Sequence, residues 1–371
     1  LSGKREPSGR LTDTIAKSYE DYPSADNFGN KEYNNYTEDI YVGYRYYETR
    51  YEDVVLGREN AGDYNYNDTV IYPFGYGLSY TSFEISGKVC TESEGQIVAV
   101  CTVKNTGEVA GKEVVQLYYS APQGKLGKPS KELAAFKKTK LLQPGESETL
   151  ALSFKVNDMA SFDDLGKIQK SAYVLEEGTY SFYLGTSVRD AEKLDYEYIV
   201  EENTIVQQLS DWCKPFKLEK RMLADGSYEE LPAFPINEPE IKVEKNPYEP
   251  FTPEKIIKLE EVLKGEVSLD KFIAQLEIND LIYLLDGCSC IGLSRTAGFG
   301  GLNKYGIPWL MTVDGPAGVN VYPTSGIGTT YFPSASVLAS TWNTELAFEV
   351  GKIGGTEAKE CGLAFWLAPG L

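Results

Sequence analysis

Between residues 81 and 200 the chain is a succession of short apolar runs, each cut off by a turn. "GQIVAVCTVKNTG" places Ile97, Ala99, Cys101 and Val103 on one side of a period of two, and Val98, Val100 and Thr102 on the other. "KEVVQLYYSAP", "ESETLALSFKV", "SAYVLEEG" and "TYSFYLGTS" follow as further β-branched or aromatic runs between Gly, Pro and Asn turns. Strands that alternate in this way carry one apolar face, which a single sheet cannot bury. Another layer must cover it. Cys101 falls on the inward side and is expected to be an ordinary buried thiol.

About seven such strands in roughly 120 residues read as a β-sandwich of fibronectin III or immunoglobulin type. The flanking regions differ in character. Residues 1–80 are rich in Tyr, Asn, Asp and Gly, with short apolar segments such as "DIYVGYRYY", and do not read as a domain that folds alone. Residues 201–250 hold many charges and prolines ("LPAFPINEPEIKVEKNPYEPF"), which predicts a linker without regular structure. From Thr252 the pattern is helical. "TPEKIIKLEEVL" offers Thr252 as N-cap and Pro253 at the first position, and "SLDKFIAQLEINDLIYLLDG" predicts one further helix. After a Gly-rich loop (292–301), "GIPWLMTVDG" is an apolar run suited to a doubly covered parallel strand. "NTELAFEVGKIGGTEAKECG" then reads as an amphipathic helix and "LAFWLAPGL" as a second buried strand, an α/β unit.

Charge and residue types narrow the chemistry. The chain has 36 Lys and Arg against 55 Asp and Glu, a net charge of −19. Such a surface repels phosphate backbones and anionic lipid, so neither nucleic acid nor membrane is an expected partner; a neutral substrate is compatible. No apolar run approaches the roughly 20 residues that span a bilayer. Residues 1–20 lack a signal-peptide pattern, which has no bearing on compartment in a sequence that opens on Leu1. A cytoplasmic location is expected over a secreted one, without being fixed. Six scattered cysteines (Cys90, Cys101, Cys213, Cys288, Cys290, Cys361) are too sparse for a disulfide framework. With no His in the chain, His-ligated metal and Ser-His or Cys-His catalysis within it are excluded. "DYNYND" (63–68) lacks Gly at the sixth position of a calcium loop and has Phe74 at the bidentate-Glu position, so it reads as a polar loop. No metal and no cofactor are expected.

"LMTVDGPAGV" is the stretch with chemical content. An apolar strand ends on one carboxylate, Asp314, and turns at once through Gly315-Pro316. Asp314 either faces a ligand or caps the turn, and the residues alone leave both readings open.

Several stretches resemble one family. "YPFGYGLSYTSFEIS", "VKNTGEVAGKEVVQLYYSAP", "KELAAFKKTKLLQPGES" and "YLGTSVRD" are similar to the C-terminal end of glycoside hydrolase family 3 enzymes, the β-glucosidase family. "GIPWLMTVDGPAGVN", "YFPSASVLASTWNTELAFEVGKIGGTEAKECG" and "LAPGL" resemble the start of that family's barrel, and "REPSGRLTDTIAKSYEDYPS" the tail of its α/β sandwich domain. The order is permuted, since the fibronectin-like part precedes the barrel start. The implied fold is mixed and multidomain. Residues 1–80 are expected to be the C-terminal part of an α/β sandwich domain and 81–200 a fibronectin III-like β-sandwich. Residues 201–250 remain a linker, and 251–371 are expected to be the N-terminal part of a (β/α)8 barrel, which takes about 250 residues to close.

The resemblance also implies the chemistry. The family's retaining mechanism uses a nucleophile and an acid/base carboxylate about 5 to 5.5 Å apart. The family's Asp nucleophile lies later in the barrel and its acid/base Glu in the α/β sandwich, so neither maps onto this sequence. Asp314 matches the family's Asp-Gly-Pro motif, whose carboxylate hydrogen-bonds sugar hydroxyls in the −1 subsite. Asn320 stands where the family often has Arg. Glu345, Glu357 and Asp286 are expected to serve helix faces or turns. The implied activity is part of an exo-acting β-glucosidase, with a β-glucoside or cello-oligosaccharide as substrate and the remainder of the enzyme as a second chain or continuation. Homo-oligomerisation stays open. The rival readings are a β-xylosidase of the same family and a non-catalytic carbohydrate-binding or adhesion module.

Overall fold

In the computed structural model the described residues are 6–29, 31–32, 34–55, 64–210, 218–232, 252–286, 296 and 298–370. The chain divides into two compact units, Leu1–Ile236 with Ser340–Trp342, and Asn237–Ala339 with Asn343–Leu371.

The first unit opens with a short antiparallel pair, β1 (Ile15–Ala16) and β2 (Val70–Tyr72), around helices α1 (Tyr44–Val55) and α2 (Tyr66–Thr69). The strands that follow are β3 (Phe83–Ser93), β4 (Gln96–Asn105), β5 (Val114–Ser120), β6 (Glu132–Lys138) and β7 (Ser147–Lys155). Next come β8 (Ser161–Asp163), β9 (Ala172–Leu175), β10 (Gly178–Gly185), β11 (Glu192–Val200) and β12 (Thr204–Gln208). They form antiparallel sheets in the orders β3-β4-β7, β11-β10-β5-β6 and β12-β9-β8.

One apolar cluster joins the first two sheets. Ile97, Cys101 and Val103 of β4 meet Leu150 and Leu152 of β7, with Leu117 of β5 and Phe182 of β10. The alternation in β4 is the physical cause: Ile97, Ala99, Cys101 and Val103 are fully buried, whereas Val98, Val100 and Thr102 are only partly covered. Cys101 is a free buried thiol. β5 does not alternate because it is covered on both sides. Val115, Leu117 and Tyr119 enter the sandwich core, and Val114 and Tyr118 pack instead with Phe74, Val188 and Trp342.

Two expectations need correction in this unit. The segment 201–250 is not devoid of regular structure. β12 adds to β9 through the β-branched run at 204–206, and β13 (Lys220–Met222) and β14 (Tyr228–Glu230) form a hairpin. Asp225-Gly226 closes that hairpin, with Asp225 accepting from the Ser227 N–H at 2.8 Å. Most of the proline-rich stretch lies outside the described residues. The polar loop expected at 63–68 holds α2, capped by Asn65, with Tyr66 buried; Asp63 is outside the described residues. The tyrosines of the first 80 residues build a core of their own: Tyr47 and Tyr66 are buried, with Tyr22, Tyr46, Tyr51 and Tyr64 against them.

The second unit carries α3 (Leu259–Leu263), α4 (Leu269–Ala274), α5 (Ile278–Asp286), β15 (Gly298–Gly300), β16 (Trp309–Asp314), α6 (Ala335–Ala339), α7 (Thr344–Glu360) and β17 (Phe365–Leu367). Helix α3 begins at Leu259, not beside Thr252, because the Gln275 side chain occupies both backbone groups of Ile257: Oε1 accepts from its N–H at 2.9 Å and Nε2 donates to its C=O at 2.8 Å. The same Gln275 ends α4, so the single helix expected from Ser268 is two helices. The end of the expected Gly-rich loop is strand β15, antiparallel to β16. β16 and β17 are parallel, joined through α7, but β17 is not the buried strand expected: Phe365 and Leu367 are exposed and only Trp366 turns inward.

Candidate functional site

Asp314 is the last residue of β16, opposite Leu367 at the end of β17, so the C-terminal ends of two parallel strands lie side by side. Val313 just before it is fully buried with Val319, Val321, Ala358 and Leu363, which anchors the strand. Alternation then turns the Asp314 carboxylate outward; it is exposed and accepts no hydrogen bond from any described residue. The turn reading required the carboxylate to cap the backbone. It is the Asp314 carbonyl that does so, accepting from Asn320 N–H at 2.9 Å.

The backbone around the carboxylate is fixed from three directions. Gly315 (φ +126°) accepts from Gly318 N–H at 3.0 Å, and Gly318 has φ +137°. A Cβ at Gly315 would overlap the Gly318 carbonyl, and one at Gly318 the Thr330 carbonyl, so both positions require glycine. The indole N–H of Trp366 donates to the Gly315 carbonyl at 2.8 Å. The segment 329–332 laces the far side: Thr329 Oγ1 donates to Val319 C=O at 2.7 Å and Phe332 N–H to Ala317 C=O at 2.7 Å. Glu357 of α7 secures that segment, accepting from Thr330 N–H at 3.0 and 3.1 Å and from Thr330 Oγ1 at 2.5 Å. The result is an outward carboxylate on a rigid support, the arrangement a ligand-holding group needs.

Of the other acids considered, Glu357 has this bracing role, Glu345 is exposed in the first turn of α7, and Asp286 ends α5. The Asn320 contribution is its backbone N–H. Trp366 and Thr330 were not identified from sequence, and Glu357 was expected only to serve a helix face or turn. The sequence trace of Trp366 is Gly354, where a Cβ would run into its ring. Among the described residues no group of His, Cys, Asp and Glu is arranged to hold a metal ion.

The first unit has its own polar chemistry. Arg221 of β13 donates to both oxygens of Asp164 at 2.8 and 2.9 Å and, through Nε, to Glu229 at 2.7 Å. Glu48 is buried; burial raises its pKa, opposed by the Tyr66 hydroxyl at 2.6 Å and by Arg189 at 3.1 Å. Asp163 shows the reverse balance: burial pushes its pKa up, but four backbone N–H groups, Gly166 to Gln169 at 2.7 to 3.0 Å, hold it below the usual value.

Residues 113–188 match the family model of the fibronectin type III-like domain. Over its whole length the chain is 45% identical to Beta-glucosidase A of Butyrivibrio fibrisolvens, covering 48% of that protein, and 39% identical to a beta-glucosidase of Ruminococcus albus, covering 38%. It thus spans half or less of these relatives. Among solved structures, a beta-glucosidase from Paenibacillus barengoltzii superposes with a TM-score of 0.86 at 41% identity, over all of this chain and 41% of that one.

Proposed function

We propose that this chain belongs to glycoside hydrolase family 3 and is part of a retaining, exo-acting β-glucosidase that releases terminal non-reducing β-D-glucosyl residues, a reading supported by its likeness to the beta-glucosidases above. Residues 251–371 are then the N-terminal part of a (β/α)8 barrel, 81–200 the fibronectin-like module, and 1–80 the end of the α/β sandwich domain. The Asp314 carboxylate accepts hydrogen bonds from adjacent hydroxyls of the terminal sugar. The nucleophile and the acid/base residue belong to parts of the enzyme for which this sequence has no matching motif.

The carrying observation is the Asp314 carboxylate: unpartnered among the described residues, exposed, and held at the C-terminal end of a parallel strand by a braced turn. Ligand-binding acids in α/β folds stand at that end of the strands. A charged hydrogen bond contributes about 1.5 to 3 kcal/mol, so Asp314→Asn in the full-length enzyme is expected to lower kcat/KM on an aryl β-glucoside more than about tenfold with Tm almost unchanged. Full activity, or loss of the fold, would refute the role. An aryl β-xyloside turned over faster than the glucoside would replace the sugar class, since a pentose lacks the C6 hydroxymethyl group.

A further inference from the structure

The first unit carries an open cavity of about 410 Å³, within the size range of small-molecule sites, and Asp314 is not among its lining residues. Its chemistry is mixed in a specific way. Five carboxylates line it (Asp39, Glu132, Asp158, Asp164 and Glu229) against two guanidinium groups, Arg45 and Arg221, a net charge of 2 − 5 = −3. Arg221 is committed, since its donors already hold Asp164 and Glu229. Asp39 is not: its nearest oxygen is 3.7 Å from Arg221, beyond hydrogen-bond distance, and no described residue donates to it. Arg45 pairs with Glu132 at 3.1 Å, and its side chain is 37% exposed. On the wall, Phe162 of β8 and Tyr173 of β9 stand opposite each other in register. Their ring centroids are 5.3 Å apart, and they are 45% and 39% exposed.

These features select a ligand class. The excess of carboxylates repels anions. An organic cation is drawn by the same carboxylates but offers nothing to the guanidinium groups, so it is the rival class in the titration below. A metal ion lacks a converging set of ligands among the described residues. Hydroxyl groups both donate and accept, so they can satisfy Asp39 and Arg45 together, and the C–H face of a sugar ring covers exposed aromatic rings. We infer that this cavity binds a neutral saccharide, with Phe162 and Tyr173 as its platform and Asp39 and Arg45 as its polar contacts. The inference does not rest on the reading of Asp314.

The test is calorimetric titration of the chain with glucose, xylose, galactose, cellobiose and xylobiose, repeated on Phe162→Ala, Tyr173→Ala, Asp39→Ala and Asp314→Asn. Saturable binding of at least one sugar is expected. Each of the first three substitutions should weaken it about tenfold, or about 1.4 kcal/mol, and this cavity-dependent binding should persist in Asp314→Asn. Both aromatic side chains are substantially exposed, so their truncation leaves the sandwich core intact. Absence of saturable binding, or binding indifferent to the three cavity variants, overturns the inference. Binding abolished by Asp314→Asn alone overturns it too, while supporting the role of that residue. Stronger binding of spermidine or glucuronate than of any neutral sugar would reject the ligand class.

Discussion

Gly354 sits mid-way along α7, where helix propensity alone argues for replacing it. Gly→Ala in a helix interior gains about 0.8 to 1 kcal/mol. Gly351 and Gly355 on the same helix are exposed, with nothing within 4 Å of a built Cβ, and their alanine variants should gain that amount. Gly354 is buried, and its Cβ would lie 2.9 Å from Cε3 of Trp366 and nearer still to Cζ3 and Cη2. That ring cannot simply swing aside, because its N–H is bonded to the Gly315 carbonyl at 2.8 Å. Overpacking costs about 1 to 3 kcal/mol, and loss of the indole bond about 1 kcal/mol more. The clash therefore outweighs propensity, and Gly354→Ala should be destabilising by about 1 to 3 kcal/mol while its two neighbours stabilise. Urea titration followed by tryptophan fluorescence reads all three, with a shifted starting signal expected for Gly354→Ala as Trp366 moves. In the full-length enzyme the same variant should lower kcat/KM, since the moved ring is what pins the turn behind Asp314. A Gly354→Ala protein as stable as the Gly351 variant would refute the account of how that turn is held.

Glu357→Ala removes the acceptor for Thr330 N–H and Oγ1, so amide exchange at Thr330 and Phe332 should accelerate while that at Val313 does not. Glu176 forms a buried ion pair with Lys128 and accepts from the Lys125 and Leu126 N–H groups at 2.6 and 3.1 Å; Glu176→Gln leaves the ammonium uncompensated and should cost about 3 to 5 kcal/mol by denaturant titration. Asp163 has a folded pKa below its unfolded one, so its contribution is complete above the unfolded value and fades as pH falls through the folded value. Asp163→Asn should therefore be less stable than the native chain at neutral pH, with the difference shrinking below about pH 4; a constant difference across that range would exclude the carboxylate as its source.

What sequence revealed and what it hid follow one division. The sandwich was legible because β4 shows its burial in its own spelling, each inward residue two from the next, and register with β3 and β7 follows from that face. Asp314 was legible for a similar local reason, an apolar strand ending on an acid before a glycine turn. The ends of α3 and α4 were not. Gln275 acts on Ile257 from 18 residues away, and a side-chain amide that satisfies a distant backbone leaves no periodic trace. The strands of 204–230 were hidden by composition, since charges and prolines averaged over fifty residues masked a β-branched run and an Asp-Gly turn.

The carboxylate cavity is the extreme case. Asp39, Asp164 and the hairpin that carries Arg221 and Glu229 are far apart in the chain, and each charge alone reads as a solvated surface group. Only pairing of β13 with β14 sets Arg221 opposite Glu229, and only the outer face of β8 and β9 brings Phe162 and Tyr173 to the same wall. The same holds at Asp314 one level down: the acid is local, but its rigidity depends on Trp366 of β17 and Glu357 of α7. A chemical group can be found by reading along the chain. Whether it is held still enough to act depends on partners the fold supplies, which is why substitutions at Gly354 and Glu357 probe the site more sharply than the number of acids around it.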